Sequence, residues 1–230
     1  EEVLHATTIG SNTVLEGKGA RTALITSRGF RDVLEIRDLR MPRLYDIGWT
    51  KPPALVERRL RLEVGGRIGP DGGERAALAM EDVAAAIRLI AAEGVASVAV
   101  CLLHSYANPA HEQAVVAAVK AARPAVAVTA SYQVLPEIKE YPRTSTTVVN
   151  AYLQPVVRAY LVALEARLRG LGIGAGLRLM QSNGGLASAA QAAAFPAHIV
   201  ESGPAAGVVG AAALAAHLGE KLVVTFDMGG

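Results

Sequence analysis

The chain has 230 residues and is 51% hydrophobic but only 4% aromatic, which predicts one large or two small domains with a core of small side chains, as in α/β proteins. Its formal net charge of +2 is close to neutral and its Lys and Arg residues do not form a run, which argues against nucleic-acid and membrane-surface binding. No apolar stretch reaches the roughly 18 residues that a membrane helix needs, so we expect no membrane partner.

The first third of the chain predicts a short helix, a strand and an irregular region, in that order. Ser11–Lys18 predicts the helix, with Ser11 or Asn12 as its N-cap. Ala20–Ser27 is apolar at its centre and predicts a strand. Residues 28–75 combine many Arg residues with Pro, Gly and little helical period. They predict an irregular, β-rich insertion.

The middle of the chain alternates helix patterns with strand patterns. Met80–Ala92 is amphipathic and predicts a helix, and Ala96–Leu103 predicts a buried strand. Pro109–Ala122 predicts a second helix with proline in its first turn, and Ala125–Ala130 predicts another strand. This order is typical of a mixed, largely parallel sheet with covering helices.

The last part of the chain is predominantly helical in pattern. Val148–Leu171 is the longest helical pattern, and Pro155 either bends this helix or marks its true start. Gly176–Gln181 predicts a strand, whereas Ala187–Ala194 and Gly203–Leu218 predict helices.

The single cysteine, Cys101, cannot form an internal disulfide, so we expect a reducing compartment. It lies in an apolar run, which predicts a buried and inert thiol. The first residues, Glu1–Leu4, carry no signal-peptide pattern. Together these features predict a cytoplasmic protein.

The final residues carry the strongest functional signal. Leu222–Phe226 predicts a buried strand, and it leads directly into Asp227, Met228, Gly229 and Gly230. Glycines let backbone N–H groups approach a phosphate, and a carboxylate at a strand end can hold Mg²⁺. An ordinary strand followed by a tight turn explains these four residues equally well. A buried strand that stops at such a turn also predicts that the chain is a fragment of a larger enzyme.

Polar residues follow the predicted strands at further junctions. Thr7 and Thr8 precede the first predicted helix, and Ser182, Asn183 and Gly184 follow the strand at 176–181. A helix N-terminus offers free N–H groups to an anion or a polarised carbonyl, which makes the first segment a candidate for a binding site. Open α/β sheets bind ligands at the carboxyl ends of their strands, which makes the second segment a candidate as well. Helix capping and a plain turn are the alternatives.

Two other junctions also allow more than one interpretation. His104 follows the strand at 96–103, where it could bind substrate or act as a general base, or simply satisfy a structural hydrogen bond. The segment that contains Ser202 and Gly203 opens the helix at 203–218. The alternative to a binding role is that small residues here only allow the helix to pack closely against its neighbours. This alternative applies chiefly to the glycines further along that helix.

Six segments, in chain order, resemble the hydantoinase A / 5-oxoprolinase family. This group comprises ATP-dependent N-methylhydantoinases, 5-oxoprolinases and the ATP-using subunits of acetone-type carboxylases. The segments are HATTIGSNTVLEGKGARTALITSRGFRDVLEI (His5–Ile36), VAVCLLHSYANPAHE (Val98–Glu112), YPRTSTTVVNAYLQPV (Tyr141–Val156), MQSNGGL (Met180–Leu186), SGPAAGVVGA (Ser202–Ala211) and TFDMGG (Thr225–Gly230).

The resemblance implies an actin-like ATPase fold, in which two RNase H-like lobes clamp a nucleotide. It implies an N-terminal region over residues 1–145 and the start of a core region over residues 146–230. A first phosphate hairpin would precede Glu1, and most of the second lobe would follow Gly230. We therefore expect this chain by itself to be inactive.

The resemblance also implies an activity, which is ATP- and Mg²⁺-dependent opening of a cyclic amide such as a hydantoin or 5-oxoproline through a phosphorylated intermediate. An acetone-type carboxylase subunit and a non-catalytic actin-like module are the alternatives. A second, hydantoinase B-type subunit or domain is the implied partner. In this scheme Asp227 is catalytic and binds the metal. The phosphate-binding residues are Gly229, Gly230, Ser202 and Gly203, and the substrate-side residues are Thr7, Thr8, Ser182, Asn183, Gly184 and His104.

Overall fold

The structure is a computed structural model that describes residues 2–38 and 45–227. Its strands are β1 (Glu2–His5), β2 (Thr22–Ser27), β3 (Arg61–Val64), β4 (Arg67–Ile68), β5 (Glu74–Ala76), β6 (Ser97–Cys101), β7 (Ala127–Ala130), β8 (Gly176–Met180) and β9 (Leu186–Ser188). Its α-helices are α1 (Ile9–Leu15), α2 (Val33–Ile36), α3 (Met80–Ala92), α4 (Ala110–Ala122), α5 (Ser131–Val134), α6 (Glu140–Gly170), α7 (Ala189–Ala194) and α8 (Ser202–Leu218). Short 3-10 helices occupy Arg58–Leu60 and Pro196–Ile199.

The chain divides into two compact units. The central unit is Ala20–Pro155, and the terminal unit combines Glu1–Gly19 with Val156–Gly230. Helix α6 contributes residues to both. The boundary near residue 145, predicted from the family resemblance, concerns sequence regions and stays a prediction.

The central unit is built on a four-stranded sheet in the order β3-β2-β6-β7, with every pair parallel. All residues of β2 and of β6 are buried, as expected for parallel strands covered on both faces. Helix α3 buries Val83, Ala86 and Ile90 along one stripe, and helix α4 packs on β6 and β7. The predicted α/β fold is therefore confirmed.

The terminal unit contains a three-stranded mixed sheet in the order β1-β8-β9. β1 runs parallel to β8, with His5 opposite Leu179, whereas β9 returns antiparallel to β8. Leu177 and Leu179 are buried while Arg178 between them is exposed, so β8 has one covered face and one open face. Helices α7 and α8 both contact β8.

Several predicted elements have different bounds in the structure. The first helix covers Ile9–Leu15, earlier than predicted, and the long helix begins at Glu140 and contains Pro155. The described residues of the predicted insertion, 28–38 and 45–75, are largely irregular as expected, but β3 among them is an edge strand of the main sheet. Among the described helices, none is both long enough and apolar enough to cross a membrane.

The predicted strand at Leu222–Phe226 is wrong. Residues 222–227 adopt no regular secondary structure, and the exposed fractions of Leu222 and Val224 are 93% and 94%. A strand requires a neighbour for its backbone N–H and C=O groups. None of the strands within 2–38 and 45–227 pairs with this segment, so its apolar, β-branched composition alone does not form one.

Leu24→Ala should destabilise the protein because Leu24 is completely buried at the centre of β2. We expect a loss of about 2–5 kcal/mol in the free energy of unfolding, measured by urea denaturation. Leu89→Ala is the matched control, since Leu89 on α3 is 37% exposed and should cost under about 1 kcal/mol. Equal losses for the two variants would contradict this description of the core.

Candidate functional site

The carboxyl ends of β1 and β8 lie side by side in the terminal unit. The two strands are parallel neighbours, so the residues that follow them emerge at the same edge of the sheet. Thr7 and Thr8 follow β1, and Ser182 and Asn183 follow β8. The structure thus brings together two of the segments predicted to carry chemistry.

Ser202, the first residue of α8, ties this helix to the segment after β1. Its hydroxyl donates a hydrogen bond to the carbonyl of Thr7 (2.9 Å) and accepts one from the Thr7 N–H (3.1 Å). Ser202 is fully buried. The Ser202 hydroxyl therefore both donates to and accepts from the backbone of Thr7. In this way Ser202 positions the segment that follows β1.

Close packing and hydrogen bonds join the other two segments to α8. A Cβ atom on Gly203 would lie 3.0 Å from Cγ2 of Thr8, so the glycine permits the close approach of the helix. The Ser182 hydroxyl accepts a hydrogen bond from the Glu201 N–H (3.1 Å), and the Ser182 N–H donates to the carbonyl of His198 (2.8 Å). We call Thr7, Thr8, Ser182–Gly184, Ser202 and Gly203 the edge cluster.

The turn after β8 is held by its own side chain. Asn183 accepts a hydrogen bond from the Gly185 N–H at Oδ1 (2.9 Å), and the Gly184 N–H donates to the carbonyl of Gln181 (2.9 Å). Gly184 has a φ of 85°, a conformation that glycine adopts without a steric penalty. Asn183 is exposed, so its side chain lies at the surface of the edge cluster.

His5, at the end of β1, contacts the same unit's long helix. Its Nε2 lies 2.6 Å from the hydroxyl of Tyr160. Burial lowers the pKa of His5, because removal from water disfavours the charged imidazolium. Its ring is therefore held in the neutral form to lower pH than a free histidine.

Asp227 is exposed and lies in the irregular segment at 222–227. Gly229 and Gly230, the predicted phosphate-binding glycines, lie outside the described residues. Within 2–38 and 45–227, no group of three or more His, Cys, Asp or Glu side chains is placed to hold a metal. One carboxylate is compatible with Mg²⁺ only where phosphates and water supply the remaining ligands.

His104 belongs to the central unit, at the turn that follows β6. Its φ is 57°, which is unusual for a residue with a side chain. Its Nδ1 lies 2.7 Å from the carbonyl oxygen of Ile68. His104 therefore makes a structural hydrogen bond, which was the alternative to a role in substrate binding or catalysis.

Sequence reasoning missed a buried carboxylate beneath this turn. Glu112 is fully buried, and its Oε1 accepts hydrogen bonds from the Leu102 N–H (2.8 Å) and the Ser131 hydroxyl (2.6 Å). Its Oε2 accepts one from the Tyr132 N–H (3.1 Å). Burial raises the pKa of Glu112 despite these donors. The sequence around Glu112 indicates only that it is an acidic residue in the first turn of a predicted helix.

Arg143 is a second buried charge in the central unit, with 1% of its surface exposed. Its guanidinium donates to the carbonyls of Glu137 (2.6 Å) and Leu102 (3.2 Å), and it lies over the ring of Tyr106.

Cys101 is buried, and its Sγ lies 3.2 Å from Oγ1 of Thr144. Burial raises the pKa of its thiol. The expected buried thiol is confirmed.

Comparison with known proteins matches nearly the whole chain. A family model described as the hydantoinase/oxoprolinase N-terminal region matches residues 1–122, and one described as hydantoinase/oxoprolinase matches residues 143–230. An uncharacterized protein of Methanocaldococcus jannaschii is 41% identical over 99% of this chain and 34% of its own length. Caprolactamase subunit alpha of Pseudomonas jessenii is 39% identical over 99% of this chain and 33% of its own length.

Two solved structures share the fold. The ATP-dependent caprolactamase of Pseudomonas jessenii matches with a TM-score of 0.87 and 37% identity, over 100% of this chain and 33% of that one. Acetone carboxylase in its nucleotide-free form matches with a TM-score of 0.82 and 28% identity, over 95% of this chain and 32% of that one. The chain thus spans about a third of the length of these relatives.

Ser202→Ala should loosen the edge cluster because it removes both hydrogen bonds to Thr7 and leaves the partly buried N–H and C=O groups of Thr7 unpaired. We expect a loss of about 1–3 kcal/mol in local stability, seen as faster hydrogen exchange of the Thr7 amide. Ser11→Ala is the control, since the Ser11 hydroxyl makes only an exposed hydrogen bond to Thr8. Unchanged exchange at Thr7 in the Ser202 variant would contradict the positioning role.

Glu112→Gln should change how stability depends on pH. A carboxyl whose pKa is raised in the folded state stabilises the protein below the unfolded pKa, here 4.5, and that contribution is lost as pH rises through the folded value. We therefore expect the wild type to lose stability relative to Glu112→Gln as pH increases above 4.5. Urea denaturation of both proteins across this range measures the difference. A pH-independent difference would contradict the raised pKa.

Proposed function

The chain belongs to the hydantoinase/oxoprolinase family, as its sequence segments predict, and on this premise we propose that it is part of an ATP-dependent enzyme that opens a cyclic amide. The names of its relatives support this proposal. Caprolactamase, as its name says, acts on a cyclic amide, and the matching structure is described as ATP-dependent. Hydantoin, N-methylhydantoin and 5-oxoproline are further members of the same substrate class.

ATP is needed because an amide carbonyl is resonance-stabilised and reacts slowly with water. Transfer of the γ-phosphoryl group to the amide oxygen releases ADP and makes the amide carbon electrophilic. Water would then add to this carbon, and breakage of the C–N bond would free the ring amine and leave an acyl phosphate. Hydrolysis of the acyl phosphate would give the carboxylate and inorganic phosphate. Such a transfer depends on backbone donors and a cation placed around the phosphates. The protein's share of the chemistry is therefore positioning and electrostatics.

The edge cluster is the observation that carries the proposal. It places Thr7, Thr8 and Ser182 next to the N-terminus of α8 within one compact unit. Thr7, Thr8 and Ser182–Gly184 would line the substrate side. The start of α8 at Ser202 and Gly203 would face phosphate, because a helix N-terminus favours negative charge.

Asp227, Gly229 and Gly230 complete the proposed phosphate site. Asp227 would hold Mg²⁺ together with the phosphates of ATP, and the two glycines would bring backbone N–H groups close to the same phosphates. When bound, Mg²⁺ would neutralise charge that develops on the phosphoryl oxygens.

An ATP-using subunit of a ketone carboxylase is the second candidate. The structural match to acetone carboxylase favours it, and an acetophenone carboxylase gamma subunit is 32% identical over 99% of this chain. In that reaction ATP would phosphorylate an enol oxygen. Both candidates imply a second subunit, since the relatives are named as subunits alpha and gamma.

An assay of the full-length protein separates these candidates. ATP hydrolysis would be measured with caprolactam, hydantoin, 5-oxoproline, acetone and acetophenone, each with and without the neighbouring subunit. Stimulation by a cyclic amide alone supports the first proposal, and bicarbonate-dependent stimulation by a ketone supports the second. ATP hydrolysis that no compound in the panel stimulates would contradict both.

Asp227→Asn should lower ATP-dependent turnover of the full-length protein by roughly 10²-fold or more, as expected for the loss of one positioned charge at a phosphoryl-transfer site. Folding should be intact because asparagine has nearly the same size and shape as aspartate. Glu220→Gln is the control, since Glu220 is an exposed carboxylate just after α8. Turnover of Asp227→Asn within about threefold of wild type would identify Asp227 as a turn residue only.

A further inference from the structure

Helix α8 carries apolar side chains on several of its sides. His217 is the only ionisable side chain among its 17 residues. With about 100° between successive residues of a helix, Val208, Val209 and Leu214 point in three different directions. A helix at the surface of a domain normally keeps a polar side toward water, whereas a helix that is apolar all round is normally buried. The sequence of α8 is therefore that of a buried helix.

Within residues 2–38 and 45–227, however, most of α8 is open to solvent. Ser202 is the buried residue of this helix. Four of its large apolar side chains are each at least 45% exposed, and we call them the α8 surface: Val208, Val209, Leu214 and Leu218. Folded proteins rarely leave many neighbouring apolar side chains in water, and such a patch marks an interaction surface.

Two glycines of the same helix lack a packing partner in the described part of the chain. A Cβ atom on Gly207 or on Gly210 would have nothing within 4 Å apart from the local helix backbone, and neither glycine has a positive φ. Glycine is less favourable than alanine inside a helix. Residues three apart lie on the same side of a helix, so the two glycines together leave room for another element to approach the backbone closely.

We propose that the α8 surface packs against a part of the same polypeptide that lies outside residues 1–230. This chain spans only 34% and 33% of the length of two relatives that match 99% of it, so comparable full-length proteins have enough further polypeptide to cover the helix. That polypeptide must present apolar side chains, since a charge placed against the α8 surface would lose its water without gaining a partner.

The distribution of the apolar side chains favours this occupant over a second copy or a separate subunit. A docked subunit covers one side of a surface helix. Val208, Val209 and Leu214 point to different sides, so they are all covered only where polypeptide folds around the helix, as in the core of a domain. The inference concerns packing alone, and it does not depend on the proposed function.

Thiol labelling of the full-length protein tests the proposal. Leu214→Cys and Lys120→Cys each introduce one thiol at an exposed position of a helix, α8 and α4 respectively, and the natural thiol of Cys101 is buried. We expect native Leu214→Cys to react with a maleimide at least about 10-fold more slowly than native Lys120→Cys, because a covered site reacts only after local opening. Both should react equally fast in guanidinium chloride. Equal rates in the native proteins would overturn the proposal.

Dilution and the neighbouring subunit identify what covers the helix. Protection of Leu214→Cys that is independent of protein concentration, and present without the neighbouring subunit, supports the proposal. Protection that is lost on dilution identifies a second copy, and protection that requires the neighbouring subunit identifies that subunit; either result overturns the proposal. A photo-crosslinking residue in place of Val208 should attach to peptides outside residues 1–230 of the same polypeptide.

Gly210→Ala is a second test that does not depend on labelling. On an open helix this change raises the Tm, because alanine is the better helix former. Where another element lies close to the backbone, the added methyl group clashes and destabilises the protein. We therefore expect a lower Tm for full-length Gly210→Ala than for wild type. Gly170→Ala, at the end of α6, is the control for the effect of alanine itself, since a Cβ atom there also has open space. A Tm of Gly210→Ala at or above that of wild type would overturn the proposal.

Discussion

Parallel strand pairing is the constraint on which the rest of this structure depends. β2, β6 and β7 run in one direction in the central unit, and β1 and β8 do so in the terminal unit. Parallel neighbours must be joined by crossovers, which cover the sheet faces and leave the loops at its ends. All loops that follow these strands therefore gather at one edge of each sheet. The edge cluster and the His104 turn are both consequences of this geometry.

The buried carboxylate of Glu112 serves to position two neighbouring turns and not to increase the stability of the central unit. Removing a carboxylate from water costs several kcal/mol, and burial outweighs the hydrogen-bond donors around Glu112 in setting its pKa. What the carboxylate achieves is to bind Leu102 after β6 and Ser131 after β7 at the same time. A pair of apolar side chains could fill the space but could not fix two turns by directed hydrogen bonds. The turn that carries His104 is one of them.

Local periodicity predicted the parts of the fold that local contacts determine. Met80–Ala92 matches the predicted helix because its apolar stripe is complete within the segment. Leu222–Phe226 was wrong because strand formation depends on a partner that composition does not reveal. The same reason explains why Glu112 was missed: its donors come from the ends of β6 and from the start of α5. In the edge cluster, Thr7 was found from its position before a predicted helix and Asn183 from its position after a predicted strand, whereas the Ser202–Thr7 contact required the fold.

The topology also implies an order of assembly. β1 must pair with β8 although most of the chain separates them, and closing such a loop is slow. The central unit is contiguous in sequence, and its two ends are adjacent, since the Ala20 N–H donates to the carbonyl of Tyr152 (2.9 Å). Once the central unit has folded, the loop that β1 and β8 must close is reduced from most of the chain to two short connections. Formation of the edge cluster is therefore expected to follow the folding of the central sheet, because Thr7 and Ser202 meet only after β1 is in place.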